Sequence, residues 1–254
     1  MHFKDRLCNS TFKISGNSSS GTCFVFKYNF SESHSKLFLV TNRHVVEENS
    51  SAHINFYISD QPYPNSIKSH GFKNTLNIPE AYWRANWIFP DDVSIDLAIL
   101  DFDKILGYMN NTRKIYYYFE CISNNDFIPE NILNSLTHIE NIIYAGFPYG
   151  WTSHDDVLPI SGSGVTATSL KKNHNNSPIF LIDANIYQGS SGCPVFIERK
   201  NVENGELSEQ YYFAGINFAK ATFKKNDGDI DTYLVKCIHA KELENLILLK
   251  FLSN

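Results

Sequence analysis

Short apolar segments separated by clusters of Gly, Asn, Ser and Pro are the feature that most restricts the folds open to this chain. Nine of them are rich in β-branched and aromatic residues, which is typical of β-strands. Their spacing favours an all-β sandwich or a pair of barrels over repeating βα units. In chain order they read TCFVFKYNF, KLFLVTNR, HINFYIS, SIDLAILDF, KIYYYFECI, NIIYAGF, PIFLIDANI, CPVFIER and QYYFAGINF.

Two other segments have a helical pattern. A short helix is predicted near IPENILNSL, with Pro129 in its first turn. A longer helix is predicted over the C-terminal HAKELENLILLKFL, where Leu243, Leu246, Ile247 and Leu249 recur at helical spacing. That helix should pack an apolar face against the body of the protein.

Composition narrows the classes of partner. The chain has 254 residues, 43% of them hydrophobic and 19% charged, which indicates a globular protein. Its net charge is -5 and its lysines are scattered, so no basic surface for nucleic acid is expected. The N-terminal MHFKDRLCNSTFKISG lacks the apolar core of a secretory signal, and no 18 apolar residues run together. We therefore expect a protein or peptide partner, no membrane association and residence in the cytoplasm.

The cysteines give no sign of a metal or redox site. There are five, widely spaced and without a C-x-x-C pair, so reduced and buried thiols are expected. No metal and no cofactor are predicted.

The segment IYQGSSGCPVF at 186–196 places a Gly-Ser-Ser-Gly turn between two apolar runs. A simple connector would accept almost any polar residues. A turn that presents a nucleophile needs a base, and a carboxylate to orient that base, elsewhere in the chain.

A histidine and an aspartate upstream meet that need. His44 follows the apolar run LFLV within LFLVTNRHVVEE, and Asp96 begins the apolar DLAIL, where a buried carboxylate would require a partner. Taken singly, each residue has a structural explanation. His44 could be a surface histidine, one of nine in the chain, and Asp96 could cap a turn. Taken together, an imidazole N–H on Asp96 would leave the other ring nitrogen to accept a proton from Ser191.

These motifs, in this order, resemble the trypsin-like serine peptidases of the chymotrypsin fold, and among them the HtrA/Deg-like branch. The resemblance rests on LVTNRHVV, DLAIL, GFPYG at 146–150, DANIYQGSSGCPVF and GINFA at 215–219, and it covers roughly residues 20–240. It implies two six-stranded antiparallel β-barrels with a C-terminal α-helix.

The resemblance also implies the chemistry. Ser191 would be the nucleophile, His44 the general base and Asp96 its orienter, with the N–H groups of Gly189 and Ser191 as the oxyanion hole. Ser190 is the competing serine, but the Gly-x-Ser-Gly register selects Ser191. The order His, Asp, Ser excludes an α/β-hydrolase, and Cys193 stands two residues beyond the nucleophile.

One peptidase domain over 1–254 is expected. The N-terminal barrel would cover about 10–122, a linker 123–135, the C-terminal barrel 136–238 and the helix 239–252. No PDZ module fits in the chain, and Ser190 replaces the aspartate that pairs with a newly cut N-terminus in zymogen-activated relatives. The stretch 45–95 is longer than a minimal core needs, and its Trp83 and Trp87 would border the substrate cleft or lie in the core.

The resemblance places the primary specificity pocket on two short segments. Residues with an apolar character there suggest an apolar side chain before the scissile bond, and no acid stands at the pocket base to favour Arg or Lys. The predicted substrate-binding residues are Asn185, Ile186, Gln188, Gly215, Ile216, Asn217 and Phe218.

Two functions remain open. The first is an active serine endopeptidase; the second is a pseudoprotease, a binding module without turnover. A related possibility is a protease that a regulatory protein partner activates, working as the proteolytic arm of a larger bacterial defence or stress system. Whether the oxyanion turn is pre-formed or latent, and the oligomeric state, stay open.

Overall fold

The β-segments assemble into two sheets, one from each half of the chain. The computed structural model describes residues 1–78, 80–153, 157–203, 206–225 and 228–252. Strands of the first sheet are β1 (Thr11–Gly16), β2 (Ser20–Asn29), β3 (Ser35–Thr41), β4 (Ala52–Ser59), β5 (Lys68–Ile78), β6 (Trp87–Ile88), β7 (Ala98–Asp101), β8 (Tyr116–Tyr118) and β9 (Ile122–Ser123).

The first sheet has the order β5-β4-β1-β2-β3-β7-β6, with β8 on β4 and β9 on β2. All of these pairs are antiparallel except β2 with β9. The pairing of β3 with β7, in which Thr41 faces Ala98, matters most for the site, because it brings the end of one strand beside the start of the other.

The second sheet is a closed antiparallel barrel of six strands. Its strands are β10 (Asn141–Gly146), β11 (Ile160–Thr166), β12 (Ile179–Ala184), β13 (Pro194–Glu203), β14 (Glu206–Lys225) and β15 (Gly228–His239). They run around the barrel in the order β10-β11-β12-β15-β14-β13, and β13 pairs with β10 to close it.

Six α-helices lie among the described residues: α1 (Phe3–Ser10), α2 (Arg43–Val46), α3 (Glu80–Asn86), α4 (Phe102–Tyr108), α5 (Glu130–Ser135) and α6 (Ala240–Phe251). Pro129 caps α5 rather than lying in its first turn. Leu243, Leu246 and Ile247 of α6 are buried, but Leu249 is 53% exposed. Leu249 lies six residues after Leu243, which at about 100° per residue takes it off the apolar face.

Three apolar clusters form the core. One lies inside the first sheet and contains Trp83 and Trp87, whose rings meet edge to face at 5.1 Å. Those two residues therefore belong to the core rather than to the cleft. A second cluster, with Phe24 and Phe213 among its members, joins the two sheets to α6, and the third fills the closed barrel.

The predicted all-β fold with a C-terminal helix is confirmed, and one of its two sheets is the expected six-stranded barrel. The first sheet has nine strands in the described ranges rather than six, because the long segment before β7 contributes β5 and β6, and the chain after α4 adds β8 and β9. None of the described helices has the length and apolar content needed to cross a membrane.

Candidate active site

The ends of two paired strands bring His44 and Asp96 together. His44 lies in α2, just after β3, and Asp96 lies two residues before β7. His44 Nδ1 lies 2.6 Å from Asp96 Oδ2, and the His44 backbone N–H donates to Asp96 Oδ1 at 3.0 Å. Since an ionised carboxylate only accepts hydrogen bonds, Nδ1 carries the ring proton and Nε2 is left as a proton acceptor.

Asn42 supports this pair from the protein interior. Its side chain is fully buried, and its Nδ2 donates to the backbone carbonyl of Asp96 at 2.8 Å. The side chain of His44 is 48% exposed and that of Asp96 21%. Asp96 is thus less buried than its sequence position suggested, because it lies in the loop before β7 and not in the strand.

Every backbone carbonyl of the turn 187–191 accepts a hydrogen bond. Because the N–H and C=O of a trans peptide point in opposite directions, these bonds also fix where each N–H points. The bonds are Ser190 N–H to Tyr187 O (3.1 Å), Tyr149 N–H to Gln188 O (2.6 Å), Thr22 Oγ1 to Gly189 O (2.9 Å), Asn217 Nδ2 to Ser190 O (2.9 Å) and Thr22 N–H to Ser191 O (2.8 Å).

Within the described residues, Ser190 is the one residue of this turn whose N–H has an acceptor, so the N–H groups of Gly189 and Ser191, the pair predicted for the oxyanion hole, are both open. Gly189 has φ +93°, and a Cβ there would lie 2.5 Å from the carbonyl oxygen of Phe147, so only glycine fits. Two open donors in a turn whose carbonyls are all bonded are suited to stabilising an oxyanion.

Tyr149, which holds the Gln188 carbonyl, has a strained backbone. Its φ is +51°, a left-handed conformation that is uncommon for a residue with a side chain, and Gly150 follows with φ +72°. Strain of this kind persists where the surrounding structure demands it, often at functional sites. Here the strained turn aims the Tyr149 N–H at the Gln188 carbonyl.

Thr22 connects the turn to the first sheet. The residue is fully buried in β2, and its Oγ1 accepts from the Phe147 N–H at 3.1 Å while donating to Gly189 O. Its carbonyl accepts from Thr41 Oγ1 at 2.7 Å. Thr22 therefore ties the turn on the barrel to the strand that leads into His44.

Ser191 lies close to the helix that carries His44. A Cβ added to Gly21 would lie 2.8 Å from Val45 Cγ2 and 3.1 Å from Ser191 O, so Gly21 separates the two by little more than its own width. Ser191 is partly exposed, whereas Ser190 is 1% exposed. Among the described residues the Ser191 hydroxyl makes no hydrogen bond, to His44 or to any other group.

Cys193 and the other thiols take no part in this arrangement. All five cysteines are free; Cys23, Cys193 and Cys237 are buried as predicted, whereas Cys8 and Cys121 are only partly buried. Burial raises the pKa of Cys193 to about 12. Its thiol is therefore protonated at neutral pH and unreactive. Within the ranges that the structure describes, no three His, Cys, Asp or Glu side chains gather as ligands for a metal ion.

A small pocket of about 150 Å³ opens beside Ser191. This volume is below the usual size of a site for a drug-sized ligand and suits a single side chain. Besides Ser191, it is lined by Ile186, Tyr187, Gln188, Asn217, Ala219, Lys220 and Val235.

Three of the predicted substrate-binding residues, Ile186, Gln188 and Asn217, lie in this pocket; the other four lie elsewhere. Asn185 lines a separate surface depression with Asp183 and Lys200. Gly215 is packed within the barrel, where a Cβ would lie 2.1 Å from Ile238 O. The remaining two, Ile216 and Phe218, pack in the core between the sheets.

The sequence interpretation missed four residues of the site. Asn42 and Tyr149 lie inside the motifs TNRH and GFPYG, so their neighbourhood was recognised but their contacts were not. Thr22 reads as an ordinary strand threonine. Lys220 follows directly after the motif GINFA, and its place in the pocket beside Ser191 depends on the course of β14, which the sequence does not show.

Comparison with known protein families identifies the family of this chain. The family model for the trypsin-like peptidase domain matches residues 21–202, more than half of the chain. A search of curated proteins found no significant match.

Solved structures resemble this chain at low identity, and the one with a TM-score above 0.5 supports the fold. A serine-to-alanine mutant of Rv3671c from M. tuberculosis H37Rv, in an inactive form, is 16% identical with a TM-score of 0.51, covering 98% of this chain and 89% of that one. The MamO protease domain from Magnetospirillum magneticum is 10% identical with a TM-score of 0.47, covering 95% and 97%. A Glu endopeptidase in complex with MPD is 16% identical with a TM-score of 0.48, covering 96% and 91%. At these identities the likeness concerns the fold.

Proposed function

The chain belongs to the family of trypsin-like peptidase domains, and on that premise we propose that it is a serine endopeptidase with a His44-Asp96-Ser191 triad. The substrate is a protein or peptide. The hydrogen-bonded His44-Asp96 pair beside a turn with two open N–H groups is the observation that carries the proposal.

In the first half of the reaction, Ser191 Oγ attacks the scissile carbonyl carbon and its proton passes to His44 Nε2. Asp96 accepts the hydrogen bond from Nδ1 and stabilises the imidazolium that forms. The carbonyl oxygen becomes an oxyanion and accepts hydrogen bonds from the Gly189 and Ser191 N–H groups. Loss of one such donor costs about 10²- to 10³-fold in kcat.

In the second half, the tetrahedral intermediate collapses. His44 gives its proton to the leaving amine, the C–N bond breaks and an acyl-Ser191 ester remains. Water then attacks the ester, its proton passes to His44, and the carboxylic acid product leaves as Ser191 regains its proton.

The bonding of the turn supports a pre-formed oxyanion hole over a latent one. In a collapsed turn a carbonyl would occupy the place of an N–H. Here the Gln188 carbonyl is held by Tyr149 and the Gly189 carbonyl by Thr22.

We further propose one peptidase domain with the barrel boundaries predicted above. We also propose a reducing compartment such as the cytoplasm, because all five cysteines are free. A regulatory partner stays a prediction.

A binding module without turnover is the second candidate, and one observation favours it. The Ser191 hydroxyl is not hydrogen-bonded to His44 among the described contacts. In free enzymes, however, catalytic hydrogen bonds are often long and tighten only when substrate binds, so the active enzyme remains the better proposal.

Covalent labelling with a fluorophosphonate tests the proposal. The wild type at neutral pH is expected to gain the mass of one probe per chain, located on Ser191 by digestion and mass spectrometry. Ser191→Ala should gain none, and Ser190→Ala should still be labelled, which tests the register of the turn. An unlabelled wild type, or a label on Ser190, would contradict the proposal.

A further inference from the structure

Among the described residues that line the pocket beside Ser191, Lys220 is the one with a charged side chain. Three of the other lining residues, Ile186, Ala219 and Val235, are apolar, and Ile186 and Val235 are buried. A substrate side chain that enters this pocket therefore meets apolar walls and one cation.

The pairing of β14 with β15 brings Lys220 to the pocket. Lys220 lies opposite Val235, and directly opposed residues on antiparallel strands project from the same face. The register shifts between Asn217 and Ala219 and again between Lys220 and Thr222. Bulges of this kind interrupt the alternation of side chains, so Asn217, Ala219 and Lys220 all line one pocket.

The charge of Lys220 is not neutralised within the described structure. Lys220 is exposed, and no carboxylate among the described side chains forms an ion pair with it. Lys236, next to Val235 on β15, is not among the residues that line the pocket.

From this geometry we infer that the proposed peptidase prefers substrates with Glu or Asp immediately before the scissile bond, with the substrate carboxylate paired to Lys220. This inference rests on the proposed function and names its substrate class. An acidic side chain gains a charge-assisted hydrogen bond when the substrate covers the pocket mouth and displaces water. Arg and Lys at the same position meet a like charge and are rejected. The sequence suggested an apolar preference from Ile186, Ile216 and Phe218. Of these three, Ile186 lines the pocket, whereas Ile216 is buried in the core between the sheets and Phe218 packs against it, so we place the charge of Lys220 first.

Hydrolysis of a peptide library varied at the residue before the scissile bond tests the inference. The comparison of Glu with Gln is decisive, because the two have nearly the same shape and differ in charge. The wild type is expected to favour Glu over Gln by roughly five- to tenfold in kcat/KM. The preference should shrink in 0.5 M NaCl, which screens a pair at the protein surface.

Three variants separate the charge of Lys220 from general effects. Lys220→Met should abolish the Glu-over-Gln preference, and Lys220→Glu should shift the preference towards Lys and Arg. Lys236→Met, which removes a lysine from the adjacent strand outside the pocket, should keep the wild-type ratio. Rates are normalised to the fraction of each protein that a fluorophosphonate labels.

The outcomes distinguish this inference from the proposed function. A wild type that is labelled at Ser191 but prefers apolar residues or Gln overturns the inference alone, as does a Lys220→Met variant that retains the Glu preference. A wild type that is neither labelled nor active on any library member overturns both.

Discussion

On the barrel, the turn 187–191 has every backbone carbonyl hydrogen-bonded, whereas on the first sheet the described contacts of the His44 ring include a single hydrogen bond, to Asp96. The turn is held by buried groups such as Thr22, while the His44 side chain is 48% exposed. If the proposed function holds, the oxyanion side of the site is fixed before substrate arrives, and the more exposed base side is left able to adjust. That contrast is compatible with a Ser191 hydroxyl that makes no hydrogen bond to His44 among the described contacts.

Breaking the base side should produce the largest effect. Asp96→Asn keeps the shape of the side chain but offers His44 Nδ1 an N–H as well as a carbonyl, so the ring can adopt the wrong tautomer. We expect kcat to fall by about 10⁴-fold with little change in KM.

The matched control is Asp92→Asn, which changes an exposed carboxylate of the same loop that bonds the Ser94 N–H at 2.9 Å. Its activity should stay close to that of the wild type. An Asp96→Asn variant within tenfold of the wild-type rate would show that the His44-Asp96 bond does not contribute to catalysis.

Breaking the turn side should have the second-largest effect. Thr22→Val preserves shape but removes the Oγ1 that bonds Gly189 O and the Phe147 N–H. Both groups would lose a buried partner, at about 1–3 kcal/mol each in the free energy of unfolding. With the Gly189 peptide no longer fixed, kcat should fall by about 10²-fold, which is the scale of one oxyanion donor.

Thr22→Ser restores the hydroxyl and should restore the rate. Thr11→Val is the control for stability, because Thr11 is another fully buried threonine, whose Oγ1 donates to Leu7 O far from the turn. It should destabilise the protein without the loss in kcat. A Thr22→Val enzyme with unchanged kcat would mean that the turn does not depend on the first sheet.

Removing the Asn42 side chain, which supports the base side through Asp96, should have a smaller effect on kcat/KM. Among the described contacts, the Asn42 side chain makes one hydrogen bond, to the backbone carbonyl of Asp96, so Asn42→Ala should lower kcat/KM by roughly tenfold, the equivalent of about 1.4 kcal/mol for one buried hydrogen bond. Because Asn42 acts through Asp96, the same change made in Asp96→Asn should cost little more. Full additivity of the two losses would contradict this positioning role.

The order of the motifs predicted which segments come together, but the individual contacts of the site could be seen only in the structure. His44 and Asp96, far apart in sequence, are bonded, as their motifs suggested. Strand β11 was missed because ISGSGVT reads as a loop. Its glycines serve packing instead: a Cβ on Gly162 would lie 2.4 Å from the Tyr144 ring, and one on Gly164 would lie 2.3 Å from Asp183 O. Glycine in a strand often marks such a close approach of a neighbouring backbone or side chain, which the composition of the segment alone does not reveal.

The residues that line the pocket beside Ser191 were only partly predictable from the sequence. Strand alternation, counted along GINF, assigns side chains to one face or the other, but the bulges in β14 break that count. Ile216 and Phe218 alternate with Asn217 and pack against the core between the sheets, whereas Lys220, which lies between the two register shifts, reaches the pocket. No pattern in a single strand reports a bulge that depends on its neighbour.

The last prediction concerns alkylation of Cys193, which we expect to be very slow. Its rate reports how rigidly the turn 187–191 is held. Cys193 is fully buried directly after the turn, and burial raises its pKa to about 12. At pH 8 its thiolate is therefore roughly a thousandfold scarcer than that of an ordinary exposed thiol. Iodoacetamide should alkylate the partly exposed Cys8 in the native protein and leave Cys193 unmodified, as peptide mass spectrometry can measure. In Thr22→Val, where the turn loses its tie to the first sheet, alkylation of Cys193 should become faster. Rapid modification of Cys193 in the wild type would mean that the turn opens in solution, and the contrast between a fixed oxyanion side and an adjustable base side would not hold.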